Sequence, residues 1–216
     1  MEIHIKNLGK QIKGVWVLRN ITVSFESGKI YGLIGRNGSG KTMLMRTICG
    51  LASYTEGEIT VNGLKLGEQI DIPDSIGAII EVPGFLENKT GIENLRYLAS
   101  LNGKATENDI QTAMQRCGLD PSNHKKVHKY SLGMRQRLGI AQAIMENPDA
   151  LLLDEPMNGL DNQGVCEIKE LLKELRNNQK TIIIASHHME DIEELCDAVY
   201  LLNSGKLFNR DDHQLL

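Results

Sequence analysis

One octapeptide constrains this chain more than any other feature: Gly35-Arg36-Asn37-Gly38-Ser39-Gly40-Lys41-Thr42 fits the pattern G-x-x-x-x-G-K-(S/T). It follows a short apolar run, Lys29 to Ile34, and opens a helical segment, Lys41 to Cys49, so it reads as the turn between a buried strand and a helix. A turn of this kind cradles phosphate. Its glycines let backbone N–H groups converge, and the helix N-terminus adds about half a positive charge. Lys41 can then reach β- and γ-phosphates, and Thr42 can bind Mg²⁺.

The rest of the chain suits an α/β core built around that turn. Ala150 to Leu153 and Thr181 to Ala185 are continuous apolar runs separated by a helical segment, Asn162 to Asn177, as expected for buried parallel strands. Further strands are expected at Glu2 to Lys6, Val17 to Glu26, Glu58 to Asn62 (ended by the turn Asn62-Gly63) and Ser75 to Ile80. Between Thr90 and Asn147 the period becomes helical: Ile92, Leu95, Leu98 and Leu101 share one face, followed by Ile110, Met114 and Cys117, then by Leu132 to Met145. This predicts a helical subdomain inserted into one α/β core.

Composition excludes several classes. A chain of 216 residues is read as a single domain, able to bury roughly 70% of its unfolded surface. A net charge of -4 gives no overall basic field, so no nucleic-acid partner is expected. Cys49, Cys117, Cys166 and Cys196 form no C-x-x-C pair, and MEIHIKNLGK alternates rather than forming an apolar leader, which reads as a reduced, cytosolic chain. His124 and His128 have helical metal spacing without further ligands and read as a solvated pair. No run approaches the roughly 20 apolar residues of a membrane helix.

A second chemical signal closes one apolar strand: Ala150-Leu151-Leu152-Leu153 ends in Asp154-Glu155-Pro156. Packing alone does not call for two acids there. Asp154 can hold Mg²⁺ through water, and Glu155 can polarise the attacking water or accept its proton. Asn88-Lys89-Thr90-Gly91 lacks the aspartate of a guanine-reading N-K-x-D, which disfavours a GTPase.

Tyr130-Ser131-Leu132-Gly133-Met134 separates the remaining candidates. By itself, Ser131 is an ordinary N-cap for the helix that follows. In its position before the Asp154 strand, however, the segment resembles the L-S-G-G-Q signature of ABC ATPases, with Ser131 and Gly133 matching and Tyr130, Leu132 and Met134 departing. Asn158-Gly159-Leu160-Asp161 looks like the family's D-loop, and Ala185-Ser186-His187 looks like its switch histidine, with His188 read as a solvated neighbour. The resemblance covers essentially residues 1–216 as a single ABC ATPase domain. It implies a P-loop NTPase core with an antiparallel β subdomain and an inserted α-helical subdomain at about 81–147.

It also implies a mechanism. Two copies, identical or different, would sandwich two ATP molecules head to tail. Gly35 to Thr42, Glu81, Asp154, Glu155 and His187 of one copy would face Ser131, Gly133 and Asp161 of the other. Thr42, Asp154 and Glu81 would hold Mg²⁺, while Glu155, His187 and Glu81 would serve hydrolysis. The work would be done on a separate transmembrane permease subunit, with this chain peripheral on the cytoplasmic face of the cell membrane and soluble when expressed alone.

Two departures are informative. The family's adenine-stacking aromatic aligns with Ile12; Trp16, four residues on, either substitutes for it or packs in the ordinary way. The family's Q-loop glutamine aligns with Glu81 in Ile79-Ile80-Glu81, and together with Thr90-Gly91-Ile92-Glu93-Asn94-Leu95 this resembles the subgroup that exports, or gives immunity to, lantibiotics and bacitracin-like peptides. The alternative is a soluble ABC ATPase that remodels a protein or nucleoprotein complex.

Overall fold

Apolar and polar residues alternate along β1 (Ile3–Ile12) and β2 (Val15–Phe25), which pair antiparallel around a turn where Lys13 and Gly14 take positive φ. The computed structural model describes residues 1–81, 83–187 and 189–210. β3 (Ile30–Ile34), buried throughout, delivers the chain to the phosphate turn, and α1 (Lys41–Ile48) leaves it. β4 (Glu56–Val61) then pairs with β1 and, through the expected turn at Asn62 and Gly63, with β5 (Leu64–Lys65). These four strands form an antiparallel sheet in the order β2-β1-β4-β5.

β6 (Ile76–Ile79) enters the second sheet before three helices: α2 (Gly91–Asn102), α3 (Glu107–Arg116) and α4 (Leu132–Ile144). Thr90 and Thr106 start the first two through capping boxes with Glu93 and Asp109, and Ser131 starts the third by accepting from Met134 N. β7 (Ala150–Asp154), α5 (Asn162–Asn177), β8 (Thr181–Ser186), α6 (Met189–Leu195), β9 (Ala198–Asn203) and β10 (Lys206–Asn209) complete the described fold. The second sheet runs β10-β9-β3-β8-β7-β6, with every pairing parallel except β10 on β9.

The core lies on both faces of that sheet. On one face, Leu44, Met45 and Ile48 of α1 are fully buried between the two sheets, beside Ile3, Leu18 and Ile59. On the other, α2 to α5 contribute Leu95, Met114, Leu138 and Leu172 to a second cluster with Leu151, Leu153 and Ile182. Burial on both faces explains why β3, β7 and β8 carry unbroken apolar runs.

Two expectations need correction. Leu101 does not join the buried face of α2: it lies in the last turn before the αL cap at Gly103 and is 65% exposed. The first strand does not stop near Lys6. It continues to Ile12 past Asn7, whose left-handed φ of 50° breaks the alternation and hides the continuation.

Candidate active site

β3 and β7 are separated in their sheet by β8 alone, so the phosphate turn after β3 and the acids closing β7 emerge on the same edge, at the carboxyl ends of parallel strands. Between them lies a cleft of about 570 Å³ lined by the turn from Asn37 to Thr42, by Arg46, Glu81, Asp154 and Glu155, and by Leu132, Arg135 and Gln136 of α4.

The turn is built for an anion. A Cβ on Gly35 would stand 2.3 Å from the Leu202 carbonyl oxygen, so only glycine lets the chain pass under β9. Gly40 caps α1 in a left-handed conformation. Lys41 is almost fully buried, with Nζ donating to the Gly35 carbonyl at 2.6 Å. Ser39 Oγ is the buried side-chain polar atom without a hydrogen-bond partner among the described residues. Leaving such a group unsatisfied is costly, so its place inside the turn fits a ligand rich in acceptor oxygens.

Thr42 Oγ1 donates to Asp154 Oδ2 at 2.8 Å, joining the start of α1 to the end of β7. Burial pushes the Asp154 carboxyl above its ordinary pKa; the Thr42 hydrogen bond and Lys41 oppose this, while Glu155 and Glu81 add to it. A carboxylate beside a hydroxyl, with a second carboxylate near by, is an oxygen donor set suited to a hard divalent cation.

Glu155 follows with φ of 51°, its N–H donating to the Ala185 carbonyl at 2.8 Å. Its Oε1 lies 2.8 Å from His187 Nδ1, and Ser186 Oγ donates to Oε2 at 3.2 Å. The acid and the histidine are thus aligned by the adjacent ends of β7 and β8. His188 lies outside the described residues. Burial pushes the thiols of Cys49, Cys117 and Cys196 up to about 12, removing them as nucleophiles and leaving the chemistry to the carboxylates.

Several contacts escape sequence reasoning. Gln136 Nε2 donates to the Glu155 carbonyl at 3.1 Å, tying α4 to the loop that follows β7 in the same chain. Glu81, at φ of 64°, pairs with Arg46 at 2.8 Å. Leu132 lies over Gly159, where an added Cβ would be 2.5 Å from its side chain, so the leucine of the signature segment and the glycine of the following loop fit each other. Tyr130 is buried with its hydroxyl hydrogen-bonded at the Gly91 backbone, which accounts for a large residue there. Ser131 and Gly133 stand outside the cleft lining, and Asp161 Oδ1 caps α5 by accepting from Gly164 N at 2.8 Å. Val17 lines the cleft on the β2 side, whereas Trp16 packs over Gly9.

A phosphate turn closing on a strand-end carboxylate, with a second acid held by a histidine, defines a P-loop nucleoside triphosphatase. The family profile described as ABC transporter matches residues 18–158, and the chain belongs to that family. It is an ATP-binding protein and an ATPase. Over 205 residues it is 49% identical to the uncharacterized ABC transporter ATP-binding protein YybJ of Bacillus subtilis (strain 168), covering 95% of this chain and 94% of that one. It is 43% identical over 207 residues to the bacitracin transport ATP-binding protein BcrA of Enterococcus faecalis, covering 95% of this chain and 67% of BcrA. A solved ATP-binding subunit of an ABC transporter superposes with a TM-score of 0.85 at 26% identity, over 98% of this chain and 91% of that one.

Proposed function

We propose that this chain powers a separate transmembrane permease that exports, or gives immunity to, a peptide antibiotic of the bacitracin or lantibiotic type. The observation that carries this reading is Glu81: an acid lines the nucleotide cleft at the position of the family's Q-loop glutamine, close enough to raise the Asp154 pKa. The similarity to a bacitracin transport protein supports the same substrate class.

In this reading residues 1–216 act as one cassette on the cytoplasmic face of the membrane, and the helical part at about 81–147 meets the permease. Tyr97 and Leu101, exposed at i and i+4 on α2, offer apolar surface for it. The membrane span in this reading is the permease's; among the described residues no helix is long and apolar enough to cross a membrane.

Gly35, Arg36, Asn37, Gly38, Ser39, Gly40 and Lys41 hold the triphosphate. Thr42 and Asp154, already hydrogen-bonded, hold Mg²⁺ with help from Glu81. The ion supplies charge neutralisation and polarises the phosphate oxygens. Glu155 takes a proton from the attacking water, and His187, paired with it, contacts the γ-phosphate. Ser131, Gly133 and Asp161 of a second copy, identical or different, close the site from the other side.

Affinity capture of the chain from bacterial membranes, with resistance to bacitracin and lantibiotics measured in cells with and without it, tests the proposal. Recovery of a polytopic membrane protein and loss of resistance on deletion are expected. Recovery of ribosomes or nucleic acid instead would transfer the chain to the remodelling class.

A further inference from the structure

Arg46 and Glu81 form an ion pair between the last turn of α1 and the segment after β6, with Nη2 and Oε2 2.8 Å apart. Arg46 lies four residues beyond Thr42, so the two share one face of α1, and both line the cleft with Glu81 and Asp154. The side chains are 40% and 58% exposed. An ion pair this open adds little to stability, so its effect must be sought in the field it sets up within the cleft.

Three carboxylates there, Glu81, Asp154 and Glu155, oppose a triphosphate. Lys41 is committed to the Gly35 and Arg36 carbonyls, and the pair with Glu81 occupies the Arg46 guanidinium. A neutral glutamine at position 81 would need no such partner. A glutamate there without Arg46 would repel the nucleotide before any cation arrived to screen it.

We propose that Arg46 is a positioning residue that neutralises Glu81 and holds its carboxylate back from the phosphates until the cation is bound. Once Mg²⁺ is present, the carboxylate is exchanged from the guanidinium to the metal side of the cleft. Arg46 therefore sets how strongly nucleotide affinity depends on the cation. This rests on the assignment of the cleft to Mg²⁺ and ATP, and adds to it a residue on the opposite side of the carboxylate.

The test is ATP binding by calorimetry, in EDTA and in excess Mg²⁺, on the purified chain carrying Arg46→Met, Arg46→Lys, Glu81→Gln or Arg46→Met with Glu81→Gln. Arg46→Met should weaken binding in EDTA by about tenfold while changing binding in Mg²⁺ by less than about threefold, a coupling of the size found for neighbouring charges. Arg46→Lys should restore most of the loss. The double variant should bind in EDTA as Glu81→Gln does, since removing the carboxylate removes the need for its partner. Equal loss in the single and double Arg46 variants, or equal loss with and without Mg²⁺, overturns the proposal. If the wild type itself gains nothing from Mg²⁺, the metal assignment fails first, a result distinguishable from failure of the Arg46 role. Unfolding midpoints of the variants separate a folding defect from either.

Discussion

Glu155 and His187 are held 2.8 Å apart, Oε1 to Nδ1, by the ends of two adjacent parallel strands, β7 and β8. Register places Asp154 beside Ala185, so Glu155, one residue on, and His187, two residues on, leave the ends of their strands side by side. Ser186 holds the other carboxylate oxygen, and Gln136 of α4 holds the backbone of the same residue. Glu155 is thereby fixed from three elements before a substrate enters, the preorganisation that the proposed role of general base would require.

Glu155→Gln should keep ATP binding and lower hydrolysis by roughly 10²–10⁴-fold, the range for losing a positioned base. The amide preserves the size of the side chain and can still bond His187 and Ser186, so the fold should be unaffected. Phosphate release, measured with the permease present, checks this, and wild-type turnover would remove Glu155 from the chemistry.

Gly35→Ala should be the more damaging of two substitutions in the phosphate turn. Its φ is 154°, and the new Cβ would meet the Leu202 carbonyl oxygen at 2.3 Å, whereas a Cβ on Gly38 meets nothing within 4 Å. Gly38→Ala bears only backbone strain, about 1–2 kcal/mol. Gly35→Ala adds a clash with a main chain that cannot swing aside. Unfolding midpoints and ATP affinities of the two variants should rank in that order.

The phosphate turn, the strand-end acids and the alternation of β and helical periods were legible because each rests on local sequence. β7 was expected from Ala150 to Leu153 and extends one residue further, to Asp154; α5 occupies the expected residues, Asn162–Asn177. The β1–β2 hairpin was less visible because Asn7 interrupts the alternation. α6, β9 and β10 were not anticipated: α6 is short, and β9 has exposed positions at Leu201 and Asn203 that blur the pattern of a buried strand. The contacts of Arg46 with Glu81 and of Gln136 with Glu155 join residues 35 and 19 positions apart, by folding rather than by spacing, and no motif announces them.

Asp154→Asn should raise thermal stability in the absence of divalent cations while weakening nucleotide binding in Mg²⁺. Burial lifts the Asp154 pKa above its unfolded value, so the folded state bears a charge penalty at neutral pH. That penalty is full above the folded pKa and is relieved as pH falls through it toward the ordinary carboxylate range. Asparagine never carries it and can still accept from Thr42. The gain in unfolding midpoint, about 2–4 °C for each kcal/mol in a chain of this size, should therefore be larger at pH 8 than at pH 4. A gain independent of pH would assign the effect to packing rather than charge.

The nucleoside base is expected on the hairpin side of the cleft. Val17 lines it, and Val15, two residues earlier on the same strand, points to the same side. Ile12 is the cross-strand partner of Val15, so the three aliphatic side chains form one strip, with Ile12 39% and Val15 64% exposed. Trp16 falls on the opposite face, over Gly9, and cannot stack on a base in this arrangement. An aliphatic strip offers contact area without hydrogen bonds, and the triphosphate supplies most of the affinity. ATP and GTP should therefore bind within about tenfold of each other, since rejecting one base for the other takes polar groups that its partner leaves unpaired. Ile12→Tyr should tighten both nucleotides by about threefold to tenfold, as expected for one aromatic stacking contact. Trp16→Phe should leave both unchanged. Titration of the three proteins with ATP and GTP decides the matter: ATP preferred over a hundredfold by the wild type, or a loss confined to Trp16→Phe, would place the base against the other face of the hairpin.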